Sequence, residues 1–390
     1  MLYYLYNDYR EQILFDMNSK LRSDAIKCKK IKLSKISMFD LNKLNDGDLL
    51  IITGCSVPSS AHNFRVSCEQ CYEQLLLSFD KKVILFEDIH GRTYHSYSDL
   101  FLDLIKYNIK YGVSMYDCDE WNYIKTNYDW DETFILNHHY DSNTFYNMNL
   151  KKDIDILLYG DIGAVYPLRI KIREILKSMT ELNIKIVTRA DYTTQNGLDS
   201  VIEHRQTLSN LINRSHICIA TCSEFNYFLC KYLEIVASNS AVAGNIESIG
   251  KQIFQGNFIE LSLNMSSNEI KQKLIDGLKH KSDLKQMNEN VYKNISNFSI
   301  QDNYWDNLKI IVNKIEFKLN DDEYIAFNNG WSKKENIMIS LGETYLKKSK
   351  LHSKDTDPNK LIKVLSGEQV KYIRRFDRNY SVVTQIHNKI

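Results

Sequence analysis

Proline and glycine are scarce in this chain of 390 residues, which has only 3 Pro and 14 Gly. This scarcity argues against a turn-rich β-sandwich, a collagen-like stretch or a long disordered linker. No apolar run reaches the ~18 residues that a membrane-spanning helix needs. The P-loop pattern G-x-x-x-x-G-K-[ST] and the dinucleotide pattern G-x-G-x-x-G are absent, which weakens ATPase and NAD-dependent interpretations. A formal charge of +1 gives no general attraction to nucleic acid or membrane.

The 8 cysteines do not have the spacing of a metal site. Cys68 and Cys71 form a C-x-x-C pair, but no second pair or pair of histidines follows to complete a zinc site. Because they fall in a helical pattern, we expect small buried side chains, with metal binding or redox activity as the alternative. The N-terminus resembles a strand more than a signal peptide, and nothing suggests a disulfide framework. We therefore expect a cytoplasmic protein.

A mass of 45.8 kDa is too large for one ordinary core and predicts two domains. Short apolar runs such as Leu49–Thr53 and Ile154–Gly160 alternate with amphipathic helical patterns such as Ser267–Lys279. This alternation is typical of a parallel sheet covered by helices. The predicted domains are a Rossmann-like acceptor domain at 1–146, a Rossmann-like nucleotide-sugar domain at 147–318, and a basic, partly helical extension at 319–390.

The polar segment Asn147–Lys152 is the predicted hinge between the two domains. Residues 331–390 hold 13 Lys or Arg against 6 Asp or Glu, and a helix is predicted there near Asn359–Leu365. A solvated tail is one interpretation of this composition. Peripheral contact with an anionic partner or a membrane surface is the other.

One predicted helix of the second domain, Asn226–Ala237, carries a charged pair. Lys231 and Glu234 have the spacing of neighbours on a helix surface. Such a carboxylate can accept two hydrogen bonds from a ribose diol, and such an ammonium can meet a diphosphate. A surface salt bridge without consequence is the alternative. Ser238 projects from the same side, and Asn239 follows in a turn whose left-handed backbone asparagine tolerates.

Two long stretches carry a resemblance to a known family. The run Asp153–Arg169 (DIDILLYGDIGAVYPLR) and the run Leu208–Ile311 resemble the C-terminal half of GT-B glycosyltransferases of the "glycosyl transferases group 1" kind, including spore-coat CgeB-like proteins. The segments Glu87–His90 and His138–Asp141, the latter followed by Phe145, are also similar to patterns of these enzymes.

The resemblance implies a GT-B fold, in which two Rossmann-like domains face a cleft. It implies that Glu234 contacts the ribose of a nucleotide-sugar donor and that Lys231 lies near its diphosphate. Many retaining relatives have two Glu residues separated by seven positions, whereas Glu224 and Glu234 are separated by nine. Retaining and inverting outcomes therefore both stay open. Asn239 stands where relatives often have Gly.

Polar residues at other predicted strand ends complete the candidate site. Tyr166, Arg169 and Arg189 are predicted near the diphosphate, because a cation stabilises the negative charge that develops on departing UDP or GDP. Asp88 or His90 is the predicted base that deprotonates an acceptor hydroxyl.

His138 and His139, at the interdomain crossing, are predicted to orient the donor phosphate or the hinge. Satisfying loop carbonyls is the alternative for these two histidines. No Asp-x-Asp stands near a predicted strand end, since Asp153 and Asp155 open a buried strand. The sequence therefore predicts a transferase that needs no metal or other cofactor.

The predicted activity moves a sugar from a nucleotide-diphosphate donor to a hydroxyl of a glycan, protein, lipid or small molecule. A two-domain epimerase or phosphorylase is the alternative among enzymes. A degenerate GT-B module that binds a nucleotide sugar or glycan without turnover is the alternative outside enzymes.

Overall fold

The computed structural model describes residues 1–8, 17–61, 64–89, 93–188 and 197–317, together with the backbone of strands at 332–333, 370–376 and 379–386. These residues form two compact units. Unit 1 comprises Met1–Ile13, Ile26–Leu136 and Leu308–Ile390, and unit 2 comprises Leu14–Ala25 and Asn137–Asn307. Within the described residues, no helix is both long and apolar enough to cross a membrane.

The regular elements alternate along the chain as the sequence predicts. The strands are β1 (Leu2–Tyr6), β2 (Lys29–Lys32), β3 (Leu49–Thr53), β4 (Lys81–Phe86), β5 (Tyr111–Ser114), β6 (Glu132–Ile135), β7 (Ile154–Gly160), β8 (Ile184–Thr188), β9 (Ser215–Ala220), β10 (Ala241–Gly244), β11 (Ile259–Glu260), β12 (Ser332–Lys333), β13 (Val370–Phe376) and β14 (Asn379–Ile386). The α-helices are α1 (Met17–Ala25), α2 (Glu69–Leu77), α3 (Tyr97–Lys106), α4 (Asp119–Thr126), α5 (Pro167–Lys177), α6 (Gly197–Arg214), α7 (Cys230–Ala237), α8 (Ile249–Phe254), α9 (Ser267–Lys279), α10 (Lys281–Tyr292) and α11 (Trp305–Phe317).

Unit 1 is organised around a sheet with the order β12-β6-β5-β4-β3-β1-β2 among the described strands. The pairs from β6 to β2 are parallel, and β12 pairs antiparallel with β6. Residues Leu49–Ile52 of β3 have no exposed surface, which is typical of a parallel strand covered on both faces. Strands β13 and β14 pair antiparallel as a separate hairpin.

Unit 2 has a sheet with the order β11-β10-β9-β7-β8, and all of its pairs are parallel. Counted within each unit, the first strand lies between the second and the third. Both sheets therefore reverse direction of winding next to their first strand, at β1/β3 in unit 1 and β7/β9 in unit 2. In doubly wound sheets this topological switch point opens a crevice at the carboxyl ends of the strands.

Several predicted elements are confirmed, and others differ for local reasons. The bounds of β3, β7 and α9 match the sequence patterns. Helix α7 begins at Cys230 and not at Asn226, because Asn226 has a left-handed φ of 57° and Leu229 is extended. Helix α4 was not predicted. The predicted helix near 359–365 lies outside the described residues.

The expectation that Cys68 and Cys71 are small buried side chains is wrong. Both are half-exposed and form a disulfide at the N-terminus of α2, with their Cα atoms 5.2 Å apart. The Cys68 Sγ also accepts the Cys71 backbone N–H at 3.1 Å, so it caps the helix.

Candidate functional site

The switch point of unit 2 is flanked by the carboxyl ends of β7 and β9. Strand β7 ends in Tyr159 and Gly160, and Thr221 follows the last residue of β9. Helix α5 begins after the loop that follows β7, with Pro167 at its first position, where a missing N–H costs no hydrogen bond. The side chains from α5 and α7 that meet these strand ends form the candidate site.

Arg169, in the first turn of α5, spans the switch point. Its Nη1 donates to the Asp161 carbonyl at 2.7 Å, its Nε to Thr221 Oγ1 at 3.2 Å and its Nη2 to the Thr221 carbonyl at 3.1 Å. The guanidinium packs over the Tyr166 ring, with Cζ 3.8 Å from the ring centre. The side chain is only 2% exposed, and burial lowers the pKa of the guanidinium. Arg169 thus joins two loops and brings a positive charge between them.

Lys231, in the first turn of α7, brings a second cation to the same place. Its Nζ donates to the Tyr159 carbonyl at 2.5 Å and lies 4.1 Å from the centre of the Tyr159 ring. Gly160 has a φ of 99°, and a Cβ placed there would lie 2.6 Å from Lys231 Nζ and 3.5 Å from Arg169 Nη1. Two like charges that approach one backbone position repel each other, so an anion bound beside them is favoured.

Glu234, one helical turn after Lys231, is 6% exposed. Its Oε1 accepts from Cys230 Sγ at 3.2 Å and from Asn18 Nδ2 at 3.4 Å. Among the described residues, Oε2 has no hydrogen-bond partner. The buried hydroxyl of Tyr159 also lacks one within that part of the chain, and burial, followed by the charge of Glu234, raises its pKa well above its ordinary value. Buried polar groups are normally satisfied, so the Tyr159 hydroxyl is available to a ligand. A ligand there can also donate a hydrogen bond to Glu234 Oε2.

Ser238 and Asn239 lie at the opposite edge of the sheet and are not brought to this site. The next residue, Ser240, donates to the carbonyl of Ser215, the first residue of β9, and accepts from Lys152, which precedes β7. Helix α7 runs back from the carboxyl edge to the amino edge, so its two ends cannot share one ligand. Asn239 does adopt the left-handed backbone predicted for it, with a φ of 60°.

His138 and His139 are buried, and His139 is committed to internal hydrogen bonds. Its Nδ1 lies 2.8 Å from the Asn137 carbonyl and its Nε2 lies 2.8 Å from Asn307 Nδ2. Because a carbonyl only accepts, Nδ1 carries the proton and Nε2 accepts. Burial lowers the pKa of His139 to about 4, which agrees with this neutral ring. His139 therefore satisfies a loop carbonyl, as in the alternative interpretation.

The switch point of unit 1 has a different polar set. Asn7, after β1, donates from Nδ2 to the Cys55 carbonyl after β3 at 3.1 Å. Asp8 accepts from the Ser34 backbone N–H at 2.9 Å and from the Ser34 hydroxyl. Of the two residues predicted as the general base, Asp88 is half-buried after β4, and His90 lies outside the described residues. Arg189, predicted near the diphosphate, also lies outside them.

Asp103 in unit 1 is a titratable residue that the sequence did not single out. Its carboxyl group, on α3, accepts the Ser59 backbone N–H at 2.7 Å in the loop after β3. Burial raises the pKa of this carboxyl to about 7, despite that hydrogen bond. The sequence could not predict the role of Asp103 on the apolar-rich helix α3, because its partner Ser59 is distant along the chain.

Metal ligands do not cluster in the part of the chain that the structure describes: no three His, Cys, Asp or Glu side chains there converge as an ion would require. Metal independence stays a prediction.

Comparisons with known proteins address the fold. No family model and no curated protein sequence matches the chain. Sucrose-phosphate synthase from Thermosynechococcus elongatus is similar in structure, with a TM-score of 0.50, 8% identity, and coverage of 80% of this chain and 98% of that chain. The chain has the GT-B fold. The α/β GT-B fold class is thus confirmed, at an identity that establishes the fold alone.

Two further structures lie in the same range of similarity. A glycosyltransferase from Rickettsia africae ESF-5 has a TM-score of 0.49 and 11% identity, over 82% of this chain and 99% of that chain. The GtfA/B complex has a TM-score of 0.47 and 10% identity, over 72% of this chain. This GT-B chain spans only 60% of that protein's length. Membership of the CgeB-like family stays a prediction.

Proposed function

We propose that the chain is a glycosyltransferase that moves a sugar from a nucleotide-diphosphate donor to a hydroxyl acceptor. The donor binds at the switch point of unit 2. The observation that carries this proposal is the convergence of Lys231 and Arg169 on Gly160, where a Cβ would lie 2.6 Å and 3.5 Å from their nitrogen atoms.

The diphosphate of the donor is the anion that suits this pair of cations. Sugar transfer leaves a nucleoside diphosphate with developing negative charge, and fixed positive groups stabilise that charge in the transition state. Helices α5 and α7 both begin at this edge, and their first backbone N–H groups add to the positive field. Lys231 and Arg169 thereby take the role that a metal ion plays in other transferases.

The ribose of the donor is assigned to Glu234. Oε2 lacks a partner among the described residues, and a carboxylate oxygen is a strong acceptor for a ribose hydroxyl. The Tyr159 hydroxyl supplies a further polar group close to that carboxylate. The donor is therefore a ribonucleotide of the UDP or GDP type.

Unit 1 is assigned to the acceptor, a hydroxyl of a glycan, protein, lipid or small molecule. Asp88 and His90 follow β4 and are the proposed source of the general base. A base with a pKa near neutrality accelerates attack by taking the hydroxyl proton as the new bond forms.

Thermal stability and nucleotide release test this proposal together. UDP, GDP and dTDP, and a sugar conjugate of each, are screened for a rise in melting temperature; saturation at 100 times Kd stabilises by about 2.7 kcal/mol. Lys231→Met and Glu234→Gln are expected to weaken that response, whereas the exposed-residue controls Lys279→Met and Glu289→Gln leave it unchanged. Release of nucleoside diphosphate from the sugar conjugate, lost in Glu234→Gln, supports transfer.

Two results would contradict the proposal. If none of the nucleotides stabilises the purified chain, the donor site is wrong. If nucleotide sugars bind but acceptors of every class leave them intact, the non-catalytic binding module replaces the transferase.

A further inference from the structure

Helix α1 brings a residue from the beginning of the chain to the candidate donor site. It belongs to unit 2 and packs there against Ile300–Tyr304. Asn18, on this helix, is 6% exposed and lies 216 positions from Glu234 in the sequence. Its Nδ2 is 3.4 Å from Glu234 Oε1 and 2.8 Å from Cys230 Sγ. The amide therefore closes the side of Glu234 that carries Oε1.

Arg205, on α6, fixes the orientation of the Asn18 amide. Its Nη2 donates to Asn18 Oδ1 at 3.0 Å and to Asp141 Oδ2 at 3.2 Å. A guanidinium has donors but no acceptor, so the amide oxygen must face Arg205 and the amide nitrogen must face Glu234. Asp141 is held in turn by Gln301 Nε2 at 2.7 Å. The amide is thus anchored by a chain of hydrogen bonds and is not free to flip.

Glu234 depends on these contacts because no cation pairs with it among the described residues. A carboxylate that is 94% buried needs hydrogen-bond donors to offset its lost hydration. The Asn18 amide and the Cys230 thiol are the donors that the structure provides, and both reach Oε1. These hydrogen bonds occupy Glu234 Oε1 and leave Oε2 to a ligand.

We infer that Asn18 is a positioning residue, which holds Glu234 so that Oε2 receives a hydroxyl of the donor ribose. The inference rests on the proposed function, since it assigns a support to the ribose contact of that site. Asn18 thereby controls the preference for a ribonucleotide over its deoxy form. Arg205 acts on Glu234 indirectly, because it orients the Asn18 amide.

Isothermal titration with the nucleoside diphosphate that binds best, and with its 2′-deoxy and 3′-deoxy forms, measures that preference. A hydrogen bond to a charged group accounts for a preference of about tenfold or more in the wild type. Asn18→Ala is expected to reduce the ratio to about twofold while leaving the affinity for the deoxy form unchanged. Asn18→Asp keeps an acceptor for Arg205 but puts a second carboxylate beside Glu234. The affinity of this variant for the nucleoside diphosphate should therefore fall further as pH rises.

A matched control and a double variant separate positioning from general damage. Asn290→Ala removes an Asn290–Asn257 hydrogen bond on α10, which carries none of the site residues, and leaves the ratio as in the wild type. Asn18→Ala combined with Glu234→Gln shows no further loss beyond Glu234→Gln alone, because Asn18 acts through that carboxylate. If Asn18→Ala does not fold, Asn18→Ser retains a donor, and a partly reduced ratio supports the inference.

The possible failures are distinguishable. If the wild type binds nucleoside diphosphates and Asn18→Ala keeps the full ribose preference, the positioning role is wrong and the donor site stands. If the wild type binds none of them, the donor site and the role of Asn18 both fail.

Discussion

The two units share a strand order but place different side chains at the switch point. In unit 1, Asn7 joins the loops after β1 and β3 with an uncharged amide. In unit 2, Arg169 joins the loops after β7 and β9 with a guanidinium, and Lys231 lies beside it. Either side chain satisfies a loop carbonyl, but only Arg169 brings charge. Among the described residues, the same scaffold therefore carries two cations at the switch point of unit 2, whereas a neutral amide joins the loops at that of unit 1.

Each unit contains a buried group with a shifted pKa, and these two groups respond to pH in opposite ways. Unit 1 has Asp103, whose pKa is raised by burial, and unit 2 has His139, whose pKa is lowered by burial. Burial disfavours the charged form in both cases, which is the carboxylate for one and the imidazolium for the other. The stability of the two units should therefore change in opposite directions between pH 4 and pH 7.

The largest expected effect tests this contrast in unit 1. Asp103 has a folded pKa of about 7 against an ordinary value of 3.8, so the folded state binds the extra proton between those values. Stability of unit 1 should fall by about 4 kcal/mol as pH rises from 4 to 7. Asp103→Asn, which can still accept from Ser59, should remove this dependence. Hydrogen exchange in β3 and β4 measures it, and an unchanged slope in the variant would refute the assignment.

The next effect has the opposite sign and belongs to unit 2. His139 has a folded pKa of about 4 against an ordinary value of 6.5, so the unfolded state binds the proton between them. Stability should fall by about 3 kcal/mol as pH drops from 6.5 to 4. His139→Asn lowers stability overall but should flatten that slope. Hydrogen exchange in β7 and β9 measures this pH dependence of the stability of unit 2. A His139→Asn variant with the wild-type slope would contradict the prediction.

Removal of the two switch-point links sharpens the comparison. Arg169→Met keeps the aliphatic stem but leaves the carbonyls of Asp161 and Thr221 unpaired, and should destabilise unit 2 by about 2 to 3 kcal/mol. Asn7→Ala leaves the Cys55 carbonyl unpaired and should destabilise unit 1 by about 1 kcal/mol. Urea titration followed by hydrogen exchange compares them. Equal losses would mean that the charge of Arg169 contributes nothing beyond an amide link.

The smallest effect distinguishes the units by redox chemistry. Reduction of the disulfide between Cys68 and Cys71 should destabilise unit 1 by about 2 kcal/mol or less, because so short a loop restricts the unfolded chain little. Cys218, Cys222 and Cys230 of unit 2 form no disulfide, so a reductant should leave the exchange rates of that unit unchanged. Cys68→Ser with Cys71→Ser is the control, and any response of that variant to reductant contradicts the assignment.

Local patterns predicted the sheets because each buried strand is a continuous apolar run and its neighbours follow in order. Helix α9 has the predicted bounds, and the structure shows a capping box of Ser266 and Glu269 at its start. Helix α4 was missed because it has only eight residues, so its buried residues Trp121, Tyr123 and Ile124 make too short a pattern. The left-handed backbone of Asn226, which moves the start of α7, has no strong sequence signal either.

The candidate site was predictable only where it is local. The Lys231 and Glu234 pair follows from helical spacing. Lys231 reaches the Tyr159 carbonyl at the end of β7, and the charge of Glu234 acts on the Tyr159 hydroxyl. Ser238 has the same spacing but lies a helix length away, at the other edge of the sheet. No local sequence pattern could predict the contact of Asn18 with Glu234, because 216 positions separate the two residues.

The place of α1 in unit 2 has a consequence for biosynthesis. Asn18 leaves the ribosome long before Glu234 is made, and strands β2 to β6 of unit 1 lie between them in the sequence. Because chains emerge from the N-terminus, α1 cannot pack against Ile300–Tyr304 until translation has passed α10. Unit 2 is thus completed by a segment that was synthesised well before the rest of it, and a fragment that starts at Asn137 would lack the Asn18 amide that contacts Glu234 Oε1.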